Sequence, residues 1–122
     1  MDTVAADQIH RGHAIIEQVH ADMKNGPLAH LPSGVFTANS AWLVLAVIAF
    51  NLTRAAGILA DRTGRLARAT TATIRRTLIH VPARTARSAR RIILHLPIDW
   101  PWENAFNRLF TITHAPPHPA TR

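Results

Sequence analysis

The sequence has no cysteine, which excludes disulfides and thiolate metal sites while leaving the redox compartment open. Acid is scarce: seven Asp and Glu stand against 14 Lys and Arg. Between Arg54 and Arg91 the only carboxylate is Asp61, so this stretch cannot assemble a multi-carboxylate site of its own. Lysine is limited to Lys24; the other 13 basic residues are arginine. The longest apolar run, residues 41–50, is followed by Asn51 and Arg54. It falls well short of the roughly 20 residues a membrane helix needs and reads as a buried core helix. Asp2, Asp7 and an amphipathic spacing separate the N-terminus from a secretory signal. With no internal repeat, a soluble intracellular protein without a membrane partner is the expectation.

Enough apolar residue is present, 48% of 122, for one real core, which argues against wholesale disorder and for one domain or part of one. A formal net charge of +7 is concentrated in ten arginines between Arg54 and Arg91. Guanidinium forks match phosphate oxygens, so a polyanion is the natural partner. The bland counterpart is a solvated arginine-rich surface.

Hydrophobic spacing organises the chain as mainly α with a small β-hairpin, an α+β arrangement. A helix is expected over residues 4–24, ended by Asn25-Gly26-Pro27, and a loop follows to residue 36. A core helix over 38–60, capped by Asn39 or Ser40, is apolar nearly all round and is therefore read as buried. Asn51 and Arg54 interrupt it as a polar pair satisfied by hydrogen bonds at its end. Arg62, Arg65 and Arg68, three apart, suggest a basic helix over 62–76, weakened by Thr70, Thr71 and Thr73. Residues 78–84 and 91–96 read as the strands of a hairpin spanning 78–96; the competing reading is a helix starting at Pro82. A proline-rich linker leads into a helix over 101–110, and residues 115–122 are expected to be a disordered tail.

The first helix carries the candidate chemistry. At 3.6 residues per turn, His10, His13, Glu17, His20 and Lys24 fall within an arc of about 80° beside an apolar face. A single zinc site is disfavoured, because four ligands strung over three turns cannot reach one ion and no HExxH order is present. Phosphoryl transfer fits better, with Glu17 as one carboxylate of a pair of ions about 4 Å apart and Lys24 as a phosphate contact. Such a site needs further carboxylates. Asp2 and Asp7 sit together at the start of the same helix, and Asp61 and Asp99 fall in expected loops.

The segments HRGHAIIEQVHADMKNGPLAHLPSG and TANSAWLVLAVIAFNLTRAAG resemble the C-terminal part of DDE insertion-sequence transposases with an RNase H-like core. VPARTARSARRIILHLP and DWPWENAFNRLF extend the likeness over nearly the whole chain. The family signature is Tyr-x2-Arg-x3-Glu-x6-Lys. Glu17 and Lys24 keep its last two positions and their spacing, while His10 and His13 stand where the tyrosine and arginine would be. The resemblance implies that residues 1–114 are the C-terminal fragment of an RNase H-like α/β catalytic domain, without its sheet and two aspartates. It implies that Glu17 binds a catalytic divalent ion, Mg²⁺, and that Lys24 contacts DNA backbone, joined by protonated His10 and His13. Arg54, Arg62, Arg65 and Arg68 would then hold duplex through phosphates. The implied function is that of a partial transposase, cytoplasmic and nucleoid-associated in a bacterium. It would be inactive alone, with DNA and either the rest of the transposase or another copy as partners.

A different class stays open: a basic helical nucleic-acid-binding module without catalysis, indifferent to Glu17→Ala. A histidine zinc protein is a third. Elemental analysis of the untagged chain is expected to find no stoichiometric zinc; one equivalent per chain would revive the zinc reading.

Overall fold

A computed structural model describes residues 2–115, and within them every side chain except those of residues 8–15. The chain divides into two compact units, residues 1–52 and 53–122. The architecture is mainly helical with one two-stranded antiparallel hairpin, the α+β arrangement that the spacing implied.

In the first unit, α1 (Thr3–Lys24) opens at Asp2, whose side chain accepts the Val4 amide. It closes where Asn25, Gly26 and Pro27 predict: the amides of Gly26 and Leu28 both donate to the Met23 carbonyl. The loop is then pinned by the Trp42 indole, which donates to the Pro27 carbonyl at 2.9 Å. The second helix, α2 (Phe36–Ala60), starts before residue 38. Asn39 lies in its first turn, and its amide grips both backbone groups of Ser33, accepting the N–H at 3.2 Å and donating to the carbonyl at 2.8 Å. Ser33 Oγ in turn accepts the Val35 amide.

The expectation of a buried α2 does not hold. Along its length only Ala46, Gly57 and Ala60 are buried, while Leu43, Leu45, Ile48 and Leu52 are exposed. Apolar residues lie on every side of this helix, and a single neighbour covers only one strip of such a cylinder. The apolar stretch is also longer than residues 41–50. By length and composition alone, the 25-residue helix is sufficient to cross a membrane.

In the second unit, Ala60, Leu66, Ile74 and Leu78 form the core. Residues 62–76 do not make one helix. A turn at Asp61 leads to a 3₁₀ turn (Leu66–Arg68), then α3 (Thr71–Ile74), which runs on as a π-type turn (Arg75–Ile79). Side chains impose these breaks. The Asp61 carboxylate accepts the Leu66 amide at 3.2 Å, and Thr70 Oγ1 accepts the Thr73 amide at 3.3 Å. Local acceptors of this kind compete with continued helix. A Cβ at Gly64 would stand 2.2 Å from the Asp61 carboxylate oxygens, so a larger residue there has to push that carboxylate aside.

Leu78 therefore belongs to a helical turn, four residues after Ile74 and buried with it, and not to a strand. The hairpin begins later, with β1 (Arg84–Ser88) paired to β2 (Arg91–His95) through the two-residue tip Ala89-Arg90. This also replaces the helix weighed from Pro82. The last helix, α4 (Glu103–His114), is shifted from 101–110. The Glu103 carboxylate accepts the Asp99 amide at 3.0 Å at its start. Its end is extended by the His114 ring stacked on Phe110 at 4.0 Å. Trp102, Ala105, Phe106 and Leu109 pack on the core. Of the expected tail, residues 116–122 lie outside the described residues.

Gly57 sets how closely α2 meets this core. A Cβ there would lie 2.6 Å from Ile74 Cδ1 and 2.9 Å from the Leu66 carbonyl oxygen. Gly57→Ala gains up to about 1 kcal/mol of helix propensity but overpacks the contact at about 1–3 kcal/mol. Thermal unfolding is expected to show a lower Tm; an unchanged or raised Tm overturns the close-packing account.

Candidate functional site

α1 is one uninterrupted helix across the whole candidate stripe. Glu17 and Lys24 therefore sit two turns apart on one face, about 10 Å along the axis. Both side chains are exposed, as is that of His20 between them. His10 and His13 share the helix, and their side chains lie outside the described ones. Among the described residues no three His, Asp or Glu side chains come together as a metal site. Glu17 offers one carboxylate to solvent, and the described residues do not close around an ion on their own.

The second unit gathers arginines by a different device. Arg54, half-buried in α2, donates from its guanidinium to the carbonyls of Ala69 and of Ala67, the latter at 2.8 Å. It is a clamp on the turn that follows its own helix. Arg65 and Arg68 bracket that turn, and side chains three apart in 3₁₀ geometry stand one above the other. With Thr63, Thr70 and Thr73 they line an open cavity of about 660 Å³. Arg62 is exposed in the preceding turn. Such a concave, hydroxyl-rich wall with two guanidinium groups suits phosphate oxygens.

Two features escaped sequence reasoning. Thr70, Thr71 and Thr73 look only like weak helix formers, yet Thr70 caps α3, Thr70 and Thr73 line the cavity, and Thr71 is buried. The hairpin arginines Arg84, Arg87, Arg90 and Arg91 count towards charge, but without the strand register their faces are hidden. The three-residue spacing of Arg84, Arg87 and Arg90 fits a helix as well as a strand, so it marks neither face.

In comparison with known proteins, a family model described as transposase DDE domain group 1 matches residues 3–117. No curated protein and no solved structure matches.

The clamp has a measurable weight. Arg54→Met removes a charged donor from two carbonyls and is expected to cost about 2–3 kcal/mol, read as a lower urea midpoint. Arg54→Lys restores only part, because an ammonium lacks the planar fork that reaches two carbonyls at once. A full rescue by lysine would show that charge alone is what matters there.

Proposed function

The chain belongs to the transposase DDE domain family, group 1, and we propose that it supplies the helix bearing the last acid of a DNA strand-transfer site. What supports this reading is that Glu17 and Lys24 share one face of an unbroken α1, seven apart as at the Glu-x6-Lys end of the signature that the sequence resembles. DDE transposase domains generally use divalent metal ions, and their role points to a transposition-related function with DNA as partner.

In this reading Glu17 is one metal ligand of a site completed by carboxylates outside the described residues, from a strand-bearing part of the same domain or from a second copy. Mg²⁺ is the ion expected. When bound, divalent ions stabilise charge on the attacking and leaving oxygens at the scissile phosphate. Lys24 carries no ligand role: its ammonium, two turns along the helix, holds the backbone phosphate next to the cut. His10 and His13 take the positions of the signature tyrosine and arginine and contact DNA when protonated. Arg62, Arg65 and Arg68 seat phosphates on the second unit, and Arg54 acts through them by fixing the turn. The chain works on the chromosome, within the cytoplasmic nucleoid, and is inactive by itself. An exposed arginine surface also favours a second reading, a binding module without catalysis.

Purified alone with Mg²⁺, the chain is expected to leave supercoiled plasmid uncut. Strand cleavage by the wild-type chain that vanishes in Glu17→Gln would overturn the incomplete-site reading. Joined to the strand-bearing part of a family transposase that supplies two aspartates, it is expected to restore cleavage, and Glu17→Gln to lower the rate at least about 100-fold. Cleavage indifferent to Glu17 would favour the binding module.

A further inference from the structure

The hairpin is the least explained element of the fold. Nine of its ten strand residues are exposed, and Ala86 alone is half-buried. Two strands with no sheet or helix on either face are marginal in water. This one is also loaded with like charge: between Arg84 and Ile98 the sequence holds four arginines and His95, and no acid. Its tip stores strain, because Ala89 lies in the left-handed region at φ 52°. Pro82 and Pro97 flank the two strands and stiffen their stems.

The register sorts the side chains. Arg84 pairs with His95, Ala86 with Ile93 and Ser88 with Arg91, and these six share one face. Thr85 with Leu94 and Arg87 with Ile92 make the other. The first face has polar corners at the base and tip and a small apolar centre. The corners are four residues apart, about 13 Å at 3.3 Å per residue. That matches the roughly 12 Å width of the major groove of B-form DNA, which admits a two-stranded ribbon.

We propose that the hairpin is a DNA-binding ribbon that enters the major groove with the face of Arg84, Ser88, Arg91 and His95 inward. Arg84 and Arg91 reach phosphates on the two groove walls, and Ala86 and Ile93 lie over the base edges. The polyanion also relieves the repulsion among the arginines, so the ribbon gains its missing support from the duplex. The inference rests on the DNA partnership proposed above and places it on residues that the family signature does not include.

The test uses the full chain and a labelled 30-base-pair duplex. Arg84→Gln/Arg91→Gln is expected to weaken binding about 50-fold at 0.1 M salt and to reduce the log–log salt slope by about 2. Arg87→Gln, on the opposite face, is expected to change affinity less than about 3-fold. Arg84→Lys/Arg91→Lys keeps the charge and is expected to keep the slope, which separates lost contacts from a lost hairpin. Wild-type chain is expected to shield guanine N7, a major-groove atom, from methylation, and the glutamine pair to leave it reactive. Equal losses from both faces, or binding without N7 shielding, would overturn the ribbon while leaving the DNA partnership intact. No duplex binding by wild-type chain at low salt would sink the partnership itself. Self-association through the hairpin, seen as a dimer lost in the glutamine pair without DNA, would assign the face to a second copy instead.

Discussion

The hold of Arg54 on the carbonyls of Ala67 and Ala69 is the contact from which the second unit is built. Those carbonyls belong to the turn that carries Leu66, and Leu66 is fully buried. Fix the turn, and the Leu66 carbonyl and the Ile74 side chain come up against Gly57; Leu66, Ile74 and Leu78 then share one core with Ala60, and α4 has a surface to rest on. Asp61 works from the other end of the same turn through the Leu66 amide. A cation on the helix and an anion after it thus set one short segment from both sides. The result is a small core whose precision depends on two polar side chains more than on apolar mass.

Parts of this were legible in the sequence and parts were not, for identifiable reasons. α1 was readable because its stop, Asn25-Gly26-Pro27, acts locally and nothing distant competes with it. Residues 62–76 misled because the spacing of Arg62, Arg65 and Arg68 fits 3₁₀ and α geometry alike. What decides between them is where Asp61 and Thr70 send their oxygens. Leu78 misled for a related reason: a short apolar run is compatible with either period, and burial beside Ile74 settled it as helical. The error on α2 is of another kind. All-round hydrophobicity does show that a helix seeks cover, but it is silent on whether the cover lies in the same chain.

The same contrast applies to the candidate site. Glu17 and Lys24 were visible because a seven-residue interval on a helix is a geometric statement in itself. The task of Arg54 was not, because backbone carbonyls have no sequence signature. Positive charge consequently takes three settings here that composition lumps together: Lys24 is exposed on the α1 face that carries Glu17, Arg54 stabilises the fold, and Arg65 and Arg68 line an open cavity. Only the geometry separates them.

The exposed apolar cylinder of α2 also governs how such a chain is tolerated in a cell. Encounters between sticky surfaces rise with the square of concentration, and side chains such as Leu43, Leu45 and Leu52 offer no repulsion to slow them. Self-association through an uncovered helix of this kind rises with the amount of chain present, and a cover over the helix removes that dependence.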